Sequence, residues 1–270
     1  MTGVQTCALP ISKQPHLLVE PGEPKRIALV PGDPGRVDRI AGHCENIDEL
    51  ARNREYKLVN ATYRGAPLTV CSTGIGCPSA TIAIEELHQV GVGTVIRVGT
   101  TGATRTGIEI GDMIVATAAA KDEGTTKRYE SATIPAVADY EVLSALVDAA
   151  EAVEADADTD GSSKAEAGSV HVGPIASDDA FYAETEEYVR EWEAAGLLSV
   201  EMEAAALFSV ARRRGMRSGA ICTVDGNLVE GTQKGETEDE ELPARAQDNV
   251  ERAIRIALEA VVDLHGGAEP

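Results

Sequence analysis

Short apolar runs alternate with segments of helical spacing along most of this chain, and glycine-rich turns separate the two. The first strands are predicted over Ile27–Val30, Leu68–Ser72 and Thr94–Val98, because these runs are rich in β-branched and aliphatic residues. Helices are predicted to follow over Val37–Ala41 and Ala80–Gln89. Such strand–glycine–helix units indicate an α/β sheet whose loops gather at one edge, where open α/β sheets bind ligands.

The same alternation continues to the end of the chain. Further strands are predicted over Asp112–Thr117, Ser169–Ala176 and Ser218–Val224, and further helices over Ala138–Val153, Glu201–Phe208 and Val250–Leu264. Small and acidic residues predict an exposed loop over Glu154–Ala167 and a polar, mobile segment over Gly231–Asn249. Because the α/β pattern resumes beyond the first of these, we interpret it as an insertion and not as a domain linker.

Composition and charge narrow the class of protein. At 270 residues, with 43% hydrophobic and 3% aromatic residues, the chain can build a sizeable aliphatic core. Its formal net charge of −21 predicts a surface that repels nucleic acid and anionic membranes. An acidic, lysine-poor surface suits a salty cytoplasm, where self-repulsion is screened, so we expect a halophilic source. No apolar run is long enough to span a bilayer, and we expect a cytoplasmic protein.

The cysteines and the first residues carry no further function. Five cysteines are present, and no pair has the C-x-x-C spacing, so neither a disulfide framework nor a zinc site is predicted. Residues 1–12 lack the basic start and the apolar core of a signal peptide. We interpret them as a non-native or disordered leader and expect the functional domain over residues 13–270.

An arginine in a buried strand is the strongest sign of function. Arg97 lies in the predicted strand Thr94–Val98, where a permanently charged guanidinium is costly without an anion beside it. Residues 99–102 read Gly-Thr-Thr-Gly, and we predict a turn there that offers backbone N–H groups and hydroxyls to an oxyanion. The alternative is an arginine that extends from the strand end to water, and Arg97 alone does not decide between them.

A second glycine turn favours the anion site. Gly32 and Arg36 lie in the turn after the first strand, where a glycine lets the backbone approach a ligand closely. None of the glycine turns has the G-x-G-x-x-G spacing or the P-loop lysine, so a dinucleotide or ATP site is not indicated.

Glu201 and Glu203 are two positions apart, so one carboxylate can face a pocket while the other does not. Alternatively, both simply favour the dipole of a helix start.

Four segments occur together in order along the chain: VPGDPGRV, CSTGIGCPS, IRVGTTGA and VEMEAAAL. In this order and spacing they resemble the nucleoside phosphorylases of the uridine phosphorylase and bacterial purine nucleoside phosphorylase type, over nearly the whole chain from about His16. The segments CSTGIGCPSATIAIEEL, RVGTTGA and IPAVADYE are more similar to the uridine phosphorylase branch. The resemblance implies a single α/β domain, with a mixed central β-sheet flanked by helices, that assembles from dimers, commonly into hexamers.

The resemblance also implies roles for individual residues. The phosphate ligands would be Gly32, Arg36, Arg97, Thr100 and, from a neighbouring subunit, Arg54. The ribose contacts would be Glu201, Met202, Glu203 and, at the 5′-hydroxyl of a neighbour's nucleoside, His16. The base contacts would be Thr101, Gly102 and Phe181. In some members a monovalent cation lies between subunits at the positions of Glu55, Ile75 and Ser79. No other metal and no organic cofactor is implied, and inorganic phosphate is the co-substrate.

The residues that would read the base depart from the family pattern. Uridine phosphorylases use a glutamine and an arginine shortly after the phenylalanine, and this chain has Thr185 and Glu187 there, with Arg190 as a possible substitute. The purine branch uses an aspartate that follows an Ile-Cys-Thr-Val strand. Asp225 lies one position earlier than that aspartate, and it is either the acid for the leaving base or a turn residue before Gly226.

We therefore expect reversible phosphorolysis of a nucleoside to free base and ribose 1-phosphate, with uridine favoured and a purine nucleoside as the alternative. Catalysis is expected to depend on Arg97, Glu203 and Asp225. Arginines would hold phosphate for attack on C1′, the glutamate would fix the ribose, and an acid would protonate the base. A hydrolytic nucleosidase has no need of arginines around an anion, and a non-catalytic nucleoside-binding protein has no need of the phosphate ligands.

Overall fold

A computed structural model describes residues 13–160, 168–232 and 244–267 of the chain. The predicted leader, residues 1–12, lies outside the described residues. So do residues 161–167 of the predicted acidic loop and residues 233–243 of the predicted polar segment.

Strands and helices alternate within the described residues, as the pattern predicts. The strands are β1 (Ile27–Val30), β2 (Glu45–Asn53), β3 (Tyr56–Tyr63), β4 (Ala66–Cys71), β5 (Thr94–Ala103), β6 (Met113–Asp122), β7 (Ala136–Val137), β8 (Val170–Asp178), β9 (Ser199–Glu201) and β10 (Arg217–Asn227). The helices are α1 (Pro34–Ala41), α2 (Cys77–Gln89), α3 (Tyr140–Asp160), α4 (Glu186–Ala194), α5 (Ala204–Arg213) and α6 (Ala244–Gly266). Short 3₁₀ turns lie at Thr126–Arg128 and Phe181–Ala183.

The strands form one mixed sheet that partly closes on itself. Its order is β10-β6-β8-β9-β5-β1-β4-β3-β2, with β7 beside β6 and an additional pairing of β10 with β5. That pairing joins β10, β6, β8, β9 and β5 into a closed ring. β5 runs parallel to both β1 and β10 and antiparallel to β9. The predicted α/β domain with a mixed central sheet is confirmed.

Helices cover both faces of the sheet and bury an aliphatic core. On one face, α2 and α5 pack on the sheet through residues such as Ile84, Leu87 and Phe208. On the other face, α3 and α6 pack against each other and against the sheet, with Leu146 and Ile254 fully buried. Within residues 13–160, 168–232 and 244–267, no helix is both long and apolar enough to cross a membrane.

The predicted Gly-Thr-Thr-Gly turn at residues 99–102 is wrong. β5 continues through this sequence to Ala103, because β10 pairs with it in register from Thr94 to Ala103. The backbone N–H groups of this stretch therefore lie in a strand and do not form a loop around an anion. Arg97 consequently sits inside a long strand and not at its end.

Two predicted ends near the glutamates and the aspartate are also wrong. Glu201 does not begin a helix, because it ends β9 and pairs with Ser177 of β8, and α5 begins only at Ala204. The predicted turn at Asp225 is a bulge within β10, where the register to β5 shifts between Val224 and Gly226. In both cases pairing with a distant strand overrides the local preference of the residues.

Two helices are longer than predicted, and several elements, among them the β2–β3 hairpin and α4, were not predicted. α3 continues to Asp160, into the stretch expected to be a loop. The alanine and glutamate residues of that stretch have a high helix propensity. α6 begins at Ala244 and so includes part of the segment expected to be mobile. β2 is largely exposed and α4 buries only Trp192, so each carries a weak apolar pattern, whereas β3 is mostly buried.

Candidate active site

Arg97 lies at the centre of the site, at the point where β1 ends. In the sheet it pairs with Val30, the last residue of β1, and with Ala220 of β10. Only 5% of the residue is exposed. The strand on one side stops at Val30, so the backbone of Arg97 lies beside the start of the glycine turn that follows β1.

Two buried carboxylates hold the Arg97 guanidinium. Its Nε donates to Oε2 of Glu201 at 2.8 Å, and its Nη2 forms an ion pair with Oε2 of Glu203. Burial alone would lower the pKa of Arg97, but the charges of Glu203 and Glu201 outweigh burial and raise it. Burial raises the pKa of Glu203, and the neighbouring Glu201 adds to that shift while Arg97 opposes it. The three groups therefore form one buried charge network.

Gly99 makes room for this arrangement. A Cβ atom at Gly99 would lie 2.9 Å from Cζ and from Nη2 of Arg97, and 3.0 Å from Sγ of Cys222. These distances are shorter than real Cβ contacts, so any side chain at this position would displace the guanidinium. The glycine that was predicted to form a turn is instead required for close approach within a strand.

Glu201 acts on Arg97 and on the start of α5. Its Oε1 accepts the hydroxyl of Ser177 at 2.5 Å, and its two oxygens also accept the backbone N–H groups of Glu203 and Ala204. The Ser177 hydroxyl in turn accepts the N–H of Ala205 at 2.9 Å. With these donors and Arg97 in place, protein groups occupy the acceptor positions of Glu201, so it is placed to orient Arg97.

Arg36 brings a second guanidinium to the same strand. It extends from α1, and its Nη1 donates to the carbonyl of Val98 at 3.0 Å. The residue is 8% exposed, and its Nε is buried without a hydrogen-bond partner among the described residues. Burial lowers the pKa of Arg36, and the positive charge of Arg97 lowers it further. Two buried guanidiniums and an unused donor fit an anion that is shared between them.

The glycine loops beside Arg36 are joined through their backbones. Gly74 N–H donates to the carbonyl of Gly32 at 3.0 Å, and a Cβ at Gly32 would lie 3.1 Å from the carbonyl oxygen of Gly74. Gly76 N–H, at the start of α2, donates to Oε1 of Glu203 at 2.5 Å. Thr100 is half-buried in β5 and pairs with Thr223 of β10. Of the residues expected at the phosphate and ribose, Arg97 and Glu203 are in contact, and Arg36 reaches the strand that carries Arg97 and Thr100.

Thr101, Gly102 and Asp225, expected near the base, lie at the far ends of β5 and β10, whereas Phe181 lies after β8. Asp225 is buried in the β10 bulge, whose flanking residues pair with Thr101 and Gly102 of β5. The hydroxyl of Thr101 donates to the carbonyl of Val200 at 2.7 Å, so it serves the β5–β9 junction. Met202 is half-buried between the two glutamates. Phe181 is 40% exposed in a 3₁₀ turn after β8.

The residues at the positions of the uracil-reading pair have other partners. Thr185 is the N-cap of α4, and its hydroxyl accepts the N–H of Tyr188 at 3.3 Å. Glu187 is exposed in the first turn of the same helix. Arg190, the possible substitute, is exposed and pairs with Glu186 one turn earlier at 2.9 Å. In this conformation these side chains serve α4 itself.

The residues expected to serve a neighbouring subunit lie at the surface. Arg54 is exposed at the tip of the β2–β3 hairpin with a φ of 54°. The His16 side chain is 39% exposed and contacts Glu86. Within the described residues, neither Arg54 nor His16 forms a hydrogen bond or an ion pair with Arg97.

The positions expected to hold a monovalent cation are close together in part. The Ser79 hydroxyl donates to Oε1 of Glu55 at 2.9 Å. The Glu55 carboxylate also accepts the backbone N–H of Glu55 itself, which lowers the pKa of this carboxyl, and the hydrogen bond from Ser79 lowers it further. Ile75 is strongly exposed in the adjoining loop. Among the described residues, no group of three or more His, Cys, Asp or Glu side chains is arranged to hold a metal ion.

Sequence reasoning missed three residues that shape the site: Gly99 as a close-approach glycine, Ser177 as a partner of Glu201, and Glu86 as a partner of His16. Gly99 and Ser177 act through pairings with strands far away in sequence. Glu86 carried a usable signal, because it is a charged residue on the buried face of α2 beside Ala83 and Leu87.

The chain matches a known protein family and is similar to named relatives. The family described as "Phosphorylase superfamily" matches residues 26–262. A guanosine phosphorylase of Halorubrum lacusprofundi is 61% identical over 254 residues, which cover 94% of this chain and 100% of the relative. A uridine phosphorylase of Thermococcus kodakarensis is 41% identical, covering 80% of this chain and 78% of the relative.

Solved structures of two related enzymes are also similar. A purine nucleoside phosphorylase from Toxoplasma gondii, in complex with immucillin-H, has a TM-score of 0.82 and 28% identity, and the match covers 99% of both chains. A uridine phosphorylase from Vibrio fischeri has a TM-score of 0.79 and 34% identity, and the match covers 94% of this chain and 98% of that one.

Proposed function

The chain belongs to the phosphorylase superfamily and is a nucleoside phosphorylase, and from this premise we propose that guanosine is its preferred nucleoside. The reaction is phosphorolysis, in which phosphate replaces the base at C1′ of the ribose. We propose which residues carry out this phosphorolysis and which base leaves.

One observation supports the assignment of the phosphate site more than any other. The buried Arg36 side chain extends from α1 to the carbonyl of Val98, next to the buried Arg97 of β5, and burial together with the positive charge of Arg97 lowers the pKa of Arg36. A phosphate dianion between them would relieve this repulsion and would accept from the unused Nε of Arg36. We assign phosphate to this position, with the Gly32 loop and Thr100 beside it.

Glu203 is placed to serve the ribose. In the described chain it accepts from Gly76 N–H and pairs with Arg97. When phosphate occupies the arginines, Glu203 becomes available to accept the ribose hydroxyls through charge-assisted hydrogen bonds. Its negative charge also favours the oxocarbenium character that C1′ gains as the base leaves. Met202 would lie under the ribose.

The base site favours a purine over a pyrimidine. Asp225 is a buried carboxyl at the bulge of β10, near the β5 residues expected to meet the base. Such a carboxyl can protonate N7 of a departing purine. Thr185, at the position of the uracil-reading glutamine, is engaged as the cap of α4. The relative that is 61% identical is a guanosine phosphorylase, which favours guanosine among the purines.

Uridine is the second candidate. The motifs of the glycine loops are more similar to the uridine phosphorylase branch, and a relative with that name is 41% identical. For uridine to be the main substrate, α4 would have to rearrange so that Arg190 leaves Glu186 and reaches the base.

A product profile tests both candidates. The protein is incubated with guanosine, inosine, adenosine, uridine and thymidine, each with and without phosphate, and the products are identified. We expect guanine and ribose 1-phosphate from guanosine only when phosphate is present. A higher kcat/KM for uridine than for guanosine would contradict the base assignment, and free ribose formed without phosphate would contradict the assignment of the arginines.

The assembly and the surroundings remain part of the proposal. We propose that the chain forms dimers that share their sites, grouped into a hexamer, in which Arg54 and His16 act on the neighbour's substrate. A monovalent cation at Glu55, Ile75 and Ser79 would join the two subunits, and no organic cofactor is required. The strongly acidic composition supports a cytoplasmic protein of a salt-rich cell.

A further inference from the structure

We propose that Glu86 is a positioning residue that fixes the tautomer and the orientation of His16. His16 is the residue that this chain would offer to the 5′-hydroxyl of a nucleoside bound by a neighbouring copy. The inference rests on the proposed function for the identity of that substrate, but the geometry that carries it lies within one chain.

Glu86 is a buried carboxylate that the reaction itself does not use. It lies on α2, on the face that packs into the core beside Ala83 and Leu87, and it is 5% exposed. A buried carboxylate is costly unless hydrogen bonds satisfy it. The donors come from the chain segment that precedes β1.

Each oxygen of Glu86 accepts from that segment. Oε2 accepts the backbone N–H of Leu17 at 2.8 Å and that of His16 at 3.1 Å. Oε1 lies 2.5 Å from Nδ1 of the His16 ring. Leu17 is fully buried, so the backbone beside His16 is anchored in the core while the ring remains partly exposed.

This contact determines the role of each ring nitrogen. An ionised carboxylate can only accept hydrogen bonds, so Nδ1 must carry the proton that Glu86 accepts. In the neutral imidazole, Nε2 then has a lone pair and acts as an acceptor. The structure shows no hydrogen bond from Nε2 to the residues it describes. An acceptor held in this way suits a partner that donates, as the 5′-hydroxyl of a nucleoside does.

The same contacts link His16 to the other residue offered to the neighbour. Asn53 donates from Nδ2 to the carbonyl of His16 at 2.8 Å. Asn53 is the last residue of β2 and immediately precedes Arg54. The ring of Tyr56, at the start of β3, contacts the His16 ring edge-on at a centroid distance of 6.4 Å. Glu86 therefore fixes one end of a unit that carries both His16 and Arg54.

The test compares substrates with and without the 5′-hydroxyl. The kcat/KM for guanosine is divided by that for 5′-deoxyguanosine in the wild type, Glu86→Gln and His16→Ala. A single hydrogen bond predicts a wild-type ratio of about 10. We expect a ratio of about 1 in His16→Ala and of about 3 or less in Glu86→Gln, and the double variant should give the same ratio as His16→Ala.

The matched control is Glu85→Gln on the same helix. Glu85 pairs with Arg214 at 2.8 Å, away from His16, so the ratio should stay at its wild-type value. A Glu86→Gln variant that slows both substrates equally, and so keeps the wild-type ratio, would show a merely structural role and overturn the proposal.

A second measurement does not depend on turnover. Nitrogen-15 NMR of the histidine-labelled protein at pH 8 reports which ring nitrogen carries the proton. We expect the proton of His16 on Nδ1 in the wild type and its transfer towards Nε2 in Glu86→Gln. A proton on Nε2 in the wild type would refute the role of Glu86, whatever the substrate proves to be. If instead the NMR result holds and guanosine is not cleaved, it is the proposed function that fails.

Discussion

At the scale of single residues, the site depends on a buried guanidinium that two carboxylates hold in place. Arg97 would be expelled from the strand by its own desolvation if Glu201 and Glu203 were not beside it. Glu201 is fully engaged by donors of the protein, whereas Glu203 makes contacts that substrates can replace. The two glutamates, two positions apart, therefore have different partners: Glu201 orients the arginine, and Glu203 is the one that we propose for the ribose.

Gly99→Ala should impair catalysis without touching any substrate. The added methyl would lie 2.9 Å from the Arg97 guanidinium and displace it from its two carboxylates. Because a misplacement of about 1 Å can cost about 100-fold in rate, we expect kcat/KM to fall between about 10-fold and 100-fold. Gly266→Ala is the control, since a Cβ there meets nothing within 4 Å. Wild-type kinetics in Gly99→Ala would remove Arg97 from the phosphate site.

Asp225→Asn should separate proton transfer from the other steps. An amide cannot donate its proton to N7, so we expect kcat for guanosine to fall by about 100-fold or more. The nucleoside 7-methylguanosine carries a methyl group and a positive charge on that side of the base and needs no proton there. Its rate should fall by less than about 10-fold in steady-state assays. An equal loss on both nucleosides would mean that Asp225 has only a structural role.

At the scale of elements, long-range strand pairing decides the parts of the site that local sequence leaves open. β10 keeps β5 extended through Gly99 and Gly102, and β8 keeps Glu201 in a strand beside Ser177. The sequence predicted the cores of most strands and helices because apolar periodicity is local. It missed α4 and β2, whose exposed residues carry little of that periodicity, and also the mostly buried β3.

The segment between β8 and α4 should make stability depend on pH. Glu184 is half-buried near Asp178, and burial raises its pKa to about 7 from an ordinary 4.5, with the charge of Asp178 adding to the shift. Because the pKa is higher in the folded state, the stabilising contribution of Glu184 is complete below about pH 4.5 and is lost as the pH rises past about 7.

The measurement is the free energy of unfolding in urea between pH 5 and pH 8. Because the group is partly exposed, we expect Glu184 to account for a decrease of about 1 kcal/mol or less over this range. Glu184→Gln should have a flatter pH profile, while the exposed neighbour variant Glu187→Gln should follow the wild type. A Glu184→Gln profile parallel to that of the wild type would show that this carboxyl does not titrate near neutral pH.

At the scale of the whole molecule, one chain supplies the proposed phosphate and ribose residues around Arg97, together with two residues that lie at the surface away from Arg97. Arg54 and His16 lie at the surface, next to each other through Asn53. The described chain does not join them to Arg97. A site completed by a neighbouring copy accounts for both observations, and symmetric dimers achieve this by the simplest means.

Mixing two inactive variants should restore activity. In Arg36→Ala each chain lacks its own phosphate ligand, and in Arg54→Ala each chain lacks the residue that it offers to its neighbour. Both should fold, because neither removal breaks an ion pair seen in the described chain. Co-refolded mixed dimers should contain one complete site, giving about a quarter of wild-type activity at equal mixing. Mixtures that stay as inactive as the separate variants would place Arg54 in its own chain's site.

The overall charge should make stability rise with salt. At a net charge of −21 the folded chain repels itself, and the screening length falls from about 10 Å at 0.1 M salt to about 3 Å at 1 M. We expect the urea midpoint of unfolding to increase steadily as KCl is added over this range. Sucrose is the control for effects that do not depend on charge. A midpoint that does not respond to KCl would contradict adaptation to a salty cell.

The amino-acid sequence alone determined the α/β class, the positions of most strands and helices, and the glycine loops and arginines to which we assign phosphate. These features are local in sequence, because strand and helix periodicity and glycine turns extend over a few residues. Folding alone decided that residues 99–102 stay in a strand, that Glu201 holds Arg97, and that Glu86 holds His16. Each of these depends on groups far apart in the chain, such as Arg97 with Glu201 and His16 with Glu86. Their proximity is a consequence of strand order and packing, which local periodicity does not encode.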